Sequence, residues 1–408
     1  MSEIKQPVPA HAPAVALWMS TFAFTICFAV WTIFAIIGIR IGKDLGLSEA
    51  EFGLLVGTPI LTGSLVRVVL GVWTTRYGGR LVYTLTMLAA ALATLLLSHA
   101  TTYPQMLLAG LGVGLAGGTF AVGVAYVSPF FPPEKQGTVL GIFGAGNVGA
   151  ALTKFLAPFV LVAAGWQMVA QFWAAALIVA AFLFWFTTTD DPAFRDRRAG
   201  AAPRRSLREE FAPLGDARVW RFSLYYFFAF GGFVALSLWL PRYLVGVYGF
   251  DIATAGMVAA AYSIPGSVFR ALGGVLSDRK GARSVLYGMF AVSAAATLVL
   301  SLPAGVSPAI FIVAVFVLGF VMSLGKAAVY KHIPTYYPQS VGAVGGVVGM
   351  VGGLGGFVLP IAFGLLKDAT GLWQSCFMLL LAVVAAALVW MHLSIRRMER
   401  LSVSAIAA

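Results

Sequence analysis

Charge is what this chain has least of. Only 10% of its 408 residues are Asp, Glu, Lys or Arg, where a soluble domain carries about a quarter. Cysteine is scarcer still. Cys27 and Cys376 both lie in apolar stretches, show no metal-ligand spacing and give no support for a disulfide between them, so both read as small buried hydrophobes. The four histidines, His11, His99, His332 and His392, are scattered and offer no ligand cluster. No nucleophile, metal or cofactor motif occurs, which argues against an enzyme and predicts no cofactor. Acid is absent where it would matter most. All fifteen Asp and Glu fall at the ends of apolar segments or in loops, with Glu51 and Asp278 coming nearest to a span.

What is present is apolar: 60% of residues are hydrophobic and the mean hydropathy is +0.92. No water-soluble core absorbs that excess, so the solvent is lipid. A helix needs about 20 apolar residues to cross the hydrocarbon. That scale yields twelve segments, near 15–39, 50–72, 81–99, 104–128, 137–161, 166–187, 218–240, 252–275, 284–302, 307–330, 340–363 and 373–394. The first run is too long for a cleavable signal and lacks a convincing cleavage site, so it reads as the first span.

The formal charge of +12 has the sign that nucleic acid would want, but topology accounts for it and no nucleic acid partner is expected. Of 27 Lys and Arg, four fall inside spans: Arg67, Lys154, Arg270 and Lys326. Four lie on one face, at Arg40, Lys43, Arg242 and Lys367, and the remaining 19 lie on the other. Positive residues stay cytoplasmic, so the richer face is the cytoplasmic one, and with an even number of spans both termini are there too. The expected location is the cytoplasmic (inner) membrane. Residues 190–216, with Arg195, Arg197, Arg198, Arg204, Arg205 and Arg208, read as a cytoplasmic linker and orientation signal. The expected fold is an all-α membrane protein of twelve transmembrane helices, in two pseudo-symmetric six-helix bundles, 1–189 and 217–408.

One motif occurs twice. Arg67-x3-Gly71-x4-Arg76-x-Gly78-x-Arg80 returns as Arg270-x3-Gly274-x4-Arg279-x-Gly281-x-Arg283, every position displaced by 203. Each copy begins with an arginine inside a span and ends in a short basic loop. A charge at a span centre costs about 2.5–3.5 kcal/mol, so four unpaired ones cost on the order of 10–14 kcal/mol. With no carboxylate at depth, the imbalance favours a small anion as the missing partner; the plainer alternative is that these side chains reach to the headgroups. Guanidinium suits the anion reading. It is planar, permanently charged and pairs side-on with planar oxyanions through two hydrogen bonds. Two guanidiniums about 8 Å apart repel by roughly 2 kcal/mol at an effective dielectric of 20, and an anion between them reverses the sign.

Glycine is concentrated in three spans. The fifth has Gly137, Gly141, Gly144, Gly146 and Gly149; the fourth and eleventh are similarly rich, the latter including Gly349 and Gly352. Small residues let helices approach closely, which serves static packing and also sliding contacts. Asn147 puts an amide into the fifth span, free to donate to an oxyanion or to bond a neighbouring helix, and Lys154 follows it by two helical turns.

These residues resemble a known group. Gly274-x-x-x-Asp278-Arg279-x-Gly281-x-Arg283 looks like the signature loop of the major facilitator superfamily; the first copy is degenerate, with Thr75 where the acid would be. Gly114-Leu-Ala-Gly-Gly-Thr-Phe-Ala121, leading to Phe130-Phe-Pro132 and Lys135-Gln-Gly137, resembles the nitrate/nitrite porter family. So does Gly141-Ile-Phe-Gly-Ala-Gly-Asn147-Val-Gly149, with the glycine run of the eleventh span as its second copy. The resemblance implies that Arg67 and Arg270 grip nitrate, with Asn147, a tyrosine of the seventh span (Tyr226, or Tyr225 as fallback) and an aromatic of the first span (Phe28 in preference to Phe34). The stretch Gly325-Lys326-Ala-Ala-Val-Tyr330-Lys331-His332-Ile-Pro334 resembles the branch that couples nitrate to protons, which would make Lys154, Lys326 and His332 the proton-coupling candidates. The implied activity is nitrate/proton symport by a monomer, with nitrate, possible nitrite and protons as its small partners and the lipid bilayer as its solvent. The alternative is nitrate/nitrite exchange or nitrite export. A non-transporting receptor normally adds a soluble output domain, and the sequence shows none.

Overall fold

The structure is a computed structural model, and it describes residues 11–198, 212–337 and 341–406. Among the described residues it is helical, without strands. Ten helices are long and apolar enough to cross a bilayer, and an eleventh is the pair Ile252–Val268 and Arg270–Lys280, bent by 42°. The fifth of the ten, Thr138–Thr187, runs 50 residues, about 75 Å if straight, more than twice the ~30 Å of hydrocarbon. It turns back at Gly165, whose φ of 85° and ψ of 167° lie outside the helical region, a conformation that residues with a Cβ seldom take. Dividing it there gives the twelve spans expected.

In order they are α1 (Ala12–Leu45), α2 (Glu49–Tyr77), α3 (Gly79–Leu97), α4 (Tyr103–Phe130), α5 and α6 (residues 138–164 and 166–187) and α7 (Ala217–Tyr248). Then come α8 (residues 252–280), α9 (Ala282–Leu300), α10 (Pro308–Tyr336), α11 (Val341–Thr370) and α12 (Ser375–Ile406). Of the expected linker, a short helix at Pro192–Arg198 and a 3-10 turn at Ala212–Gly215 are described. Arg204, Arg205 and Arg208 lie outside the described residues.

The repeated motif is a repeated structure. Gly78 joins α2 to α3 at φ 90° and ψ 140°, and Gly281 joins α8 to α9 at φ 82° and ψ 137°. Both sites need glycine for the same reason, a positive φ between two helices. The acid of the second loop, Asp278, forms an ion pair with Lys331 of α10.

The two bundles meet along two glycine-lined seams. Where α2 faces α11, a Cβ on Gly57 would stand 2.9 Å from the Phe357 carbonyl oxygen, and one on Gly53 would stand 2.8 Å from the Pro360 carbonyl carbon. Where α5 faces α8, Gly256 lies against the Lys154 carbonyl and Gly141 against Ala271. Hydrogen at these positions is what lets backbones touch across the interface.

Charge closes one end of this interface. Arg242 of α7 makes a two-pronged ion pair with Glu49 at the start of α2, at 2.7 and 3.2 Å. Its guanidinium carbon lies 5.7 Å from the centre of the Phe52 ring. Beside it the Ala50 amide donates to Asp368 of α11 at 2.9 Å. This is the end with few basic residues, and its ion pair ties the bundles together.

Arg242→Gln removes the fork that Glu49 accepts. A loss of ~1 kcal/mol from the closed state shifts a two-state population about fivefold. A cysteine placed at buried Ile60, between the bundles, should therefore react about fivefold faster with a water-soluble maleimide in the Arg242→Gln background. An unchanged rate would show that the ion pair does not hold this end shut.

Candidate functional site

Three of the four polar residues expected to bind substrate sit where a helix is irregular. Asn147 lies in a 3-10 turn, Ala145–Val148, inside α5. Tyr226 directly precedes a π-helical turn, Phe227–Gly232, in α7. Arg270 directly follows the bend of α8 at Phe269. Arg67 lies in the continuous helix of α2. Such breaks in the regular ladder re-aim side chains, and within a membrane they are tolerated where protein surrounds them.

Both arginines are buried, Arg67 at 4% exposure and Arg270 at 5%. Arg67 Nε donates to the Gly117 carbonyl at 3.4 Å, and its Nη1 donates to Gly349 of α11, in the opposite bundle, at 3.0 Å. Its guanidinium carbon stands 5.4 Å from the Trp31 ring, 5.5 Å from Phe120 and 5.3 Å from Phe230. Arg270 stands 5.4 Å from the same Phe120 ring and 5.7 Å from Tyr330. A Cβ on Gly144 of α5 would be 3.1 Å from three atoms of its side chain. Each arginine thus reaches across to the other bundle, Arg67 to Gly349 and Phe230, Arg270 to Gly144 and Phe120. Phe120 is the ring they share.

The hydrogen-bonding capacity here is not used up. Arg67 Nη2, Arg270 Nη1, the Tyr226 hydroxyl and both side-chain polar atoms of Asn147 are buried without a hydrogen-bond partner among the described residues. A buried polar group left so costs about 1–3 kcal/mol, and a charged one more. Among the described residues, no carboxylate forms an ion pair with either guanidinium. Tyr226 is fixed from two sides, stacked on Phe230 at 5.1 Å and 11° and edge-on to Tyr330 at 4.9 Å. Gly352 of α11 makes room for its ring, and a Cβ at Gly349 would meet the Tyr330 hydroxyl at 2.7 Å. Asn147 follows Gly144 by three residues, which one 3-10 turn brings to the same side. The arrangement presents donors from both bundles toward a group that supplies negative charge and acceptor atoms.

Other expected residues lie elsewhere. Phe28 is fully buried and packs edge-on against Phe24 and Trp31, so Trp31, not Phe28, faces the Arg67 guanidinium. Lys154 donates to the Ala150 carbonyl and to Ser263 Oγ of α8, each at 3.0 Å, and Ser263 is 3.2 Å from Ser237 of α7. Lys326 donates to the Gly266 carbonyl of α8 and lies 3.6 Å from the centre of the Phe233 ring. The two lysines therefore come from different bundles onto one turn of α8, residues 263–266, just before Arg270. His332 stacks flat on Phe222 at 5.2 Å in a separate pocket. The signature-loop residues Gly274, Asp278, Arg279, Gly281 and Arg283 lie at the far end of α8 and the start of α9, away from the arginine pair. Trp31, Phe120, Phe230 and Tyr330 were not singled out by the sequence. Their one signal is helical spacing to a polar site residue, Phe230 one turn beyond Tyr226 and Tyr330 one turn beyond Lys326.

Comparison with known proteins fits this picture. The family profile of the Major Facilitator Superfamily matches residues 19–257 and 247–405. The chain is 42% identical to the "Probable nitrate/nitrite antiporter NarK1" of Thermus thermophilus, over 94% of this chain and 91% of that one. It is 30% identical to the "Nitrite extrusion protein" of Bacillus subtilis (strain 168), over 93% and 94%. Among solved structures, a bacterial homolog of the human lysosomal transporter Spinster, inward-facing and unoccupied, superposes with a TM-score of 0.73 at 19% identity, covering 95% of this chain and 98% of that one.

Gly144→Ala tests the site without touching a polar group. The added methyl crowds the Arg270 guanidinium, and a modest overpacking strain of ~1.4 kcal/mol weakens binding about tenfold. Titration calorimetry with nitrate should show that loss, while Gly346→Ala, with no atom within 4 Å of its Cβ, should bind as the unaltered protein does. Equal affinities for the two variants would mean that Arg270 does not grip the anion.

Proposed function

The chain belongs to the nitrate/nitrite porter family of the Major Facilitator Superfamily, and on that premise we propose that it carries nitrate across the cytoplasmic membrane by alternating access, coupled to protons. It is a multi-pass membrane transporter. The observation that carries the proposal is the set of buried donors on Arg67, Arg270, Asn147 and Tyr226, drawn from both bundles and, among the described residues, without a hydrogen-bond partner or a carboxylate in ion-pair contact with either arginine.

Nitrate is flat and carries its charge on three equivalent oxygens, so each guanidinium edge can take two of them or share one. The Asn147 amide and the Tyr226 hydroxyl complete the ring of donors, and Phe120, Phe230 and Tyr330 bound it. With the anion in place, the repulsion between the guanidiniums turns into attraction through it, and the bundles close over the load. The Lys- and Arg-rich face lies in the cytoplasm, the bundles are residues 1–189 and 217–408 joined through 190–216, and one chain is the working unit.

Coupling follows from energetics. Import of a monovalent anion into a cell that is negative inside is opposed by about 2.3 kcal/mol per 100 mV, so it needs an exiting anion or at least one proton per nitrate, and more than one for the membrane potential itself to drive uptake. Nitrate is the anion of a strong acid and brings no proton itself. Carboxylates are the usual proton sites in membranes, but here Lys154 and Lys326 are buried amines bonded to the turn of α8 that leads into Arg270. We assign the coupling protons to their amines. A second reading, exchange of nitrate for nitrite, is favoured by the name borne by the 42% identical relative.

Flux in proteoliposomes separates the two. Acid outside should drive nitrate accumulation without internal nitrite, and Lys154→Gln with Lys326→Gln should abolish it while sparing exchange. Undiminished acid-driven uptake in that variant would sink the lysine assignment. Flux in the unaltered protein only against trans nitrite would establish the exchanger.

A further inference from the structure

A second basic cluster lies apart from the bundle interface, at the end of the C-terminal bundle where Lys and Arg concentrate. A shallow pocket opens there between α7, α9, α10 and α12. Arg218 and Arg221 of α7 and Arg283 of α9 form one side, and Met391, Ile395 and Met398 of α12 form the other. The stacked pair Phe222 and His332 lies between.

Among the described residues, one ion pair meets the three arginines of this pocket. Asp216 is the acid that reaches the arginines, 3.8 Å from Arg218 Nε. Burial pushes its carboxyl up, but the Tyr337 hydroxyl at 2.6 Å and the Arg218 amide at 2.9 Å outweigh burial and hold it below the usual carboxylate range. It therefore stays charged and offsets one guanidinium. Arg283 Nη2 donates to the Tyr336 hydroxyl at 3.2 Å, a neutral partner. Arg221 has neither a hydrogen bond nor an ion pair among the described residues.

The N-terminal bundle solves the same position differently. Arg80, the counterpart of Arg283 in the repeat, donates from Nε to the Trp185 carbonyl at 3.0 Å and lies 4.2 Å from the centre of the Trp185 ring. The residue 203 positions on from Trp185 is Leu388, whose side chain offers no such ring. Arg283 turns to the pocket instead.

The environment selects the ligand. One wall is guanidinium, the other thioether and aliphatic, and the α12 residues beside it, Val389, Trp390 and Leu393, are exposed apolar side chains. A pocket beside an exposed apolar helix face, with its arginines in the first turns of α7 and α9, fits a molecule with phosphate at one end and hydrocarbon at the other. We propose that this pocket holds the phosphate of an anionic phospholipid from the basic-face leaflet, its acyl-glycerol portion lying along α12.

The test is lipid retention by the full chain. The protein is reconstituted in nanodiscs of equal parts phosphatidylglycerol and phosphatidylcholine, extracted in mild detergent, and examined by native mass spectrometry. The unaltered protein should retain phosphatidylglycerol in preference to phosphatidylcholine. Arg218→Gln with Arg221→Gln should lower that retention about tenfold, in keeping with the contribution of basic residues at an anionic surface, whereas Arg218→Lys with Arg221→Lys should keep most of it. Size-exclusion profile and nitrate binding should be unaltered in both, which separates loss of a site from loss of fold. Equal retention by the Gln and unaltered proteins would overturn the proposal. So would displacement of the lipid by millimolar inorganic phosphate, which would assign the pocket to a soluble phosphate compound.

Discussion

Two permanent positive charges sit in an interior where, among the described residues, no carboxylate pairs with them, and the structure is arranged around that constraint. Arg67 and Arg270 are steadied by weak partners only. Gly117 and Gly349 lend carbonyls to Arg67, and the faces of Trp31, Phe120, Phe230 and Tyr330 surround the pair. Contacts of a cation with an aromatic face are worth about 0.5–2 kcal/mol each, enough to keep a guanidinium inside but short of what an ion pair supplies. A carboxylate in the same place would hold the arginines permanently and would have to be displaced by every incoming anion. Donors without a partner among the described residues stay available to an anion, as the proposed function requires.

The same two residues connect binding to motion. Each belongs to one bundle and touches the other, so any rocking of the bundles changes the separation of the guanidiniums. Glycines on α2, α5, α8 and α11 bring the backbones into contact around them, and contacts through hydrogen alone can slide where interlocked side chains cannot. The Arg242–Glu49 fork adds directional closure at one end of the interface. Lys154 adds a buried bridge from α5 to Ser263, and through it to Ser237. Both lysines bond to the turn of α8 that carries Arg270 one turn later, which is the contact the proposed proton coupling would use.

Much of this was legible in the sequence, for a physical reason. A charge or amide in an apolar span is conspicuous, so Arg67, Arg270 and Asn147 stood out, while Tyr226 came from the family resemblance alone; all four carry polar atoms without a partner among the described residues. The 203-residue displacement was legible because Gly78 and Gly281 occupy equivalent positive-φ turns that exclude most other residues. The aromatic surround was not legible. With 31 Phe, 13 Tyr and 10 Trp, a ring that faces a guanidinium reads like a ring that faces lipid, and nothing in the sequence marks Trp31 as the first-span ring that stands over Arg67. His332 shows the limit of proximity along the chain. It follows Lys326 by six residues, which on a helix of 3.6 residues per turn leads to a different face, and it lies in the basic pocket with Phe222.

The most direct test is an experimental structure of the protein determined with nitrate. The account predicts a planar anion between Arg67 and Arg270, accepting from Arg67 Nη2 and Arg270 Nη1 and within hydrogen-bond reach of Asn147 and the Tyr226 hydroxyl. Nitrate bound elsewhere, with both guanidiniums still unpartnered, would contradict it.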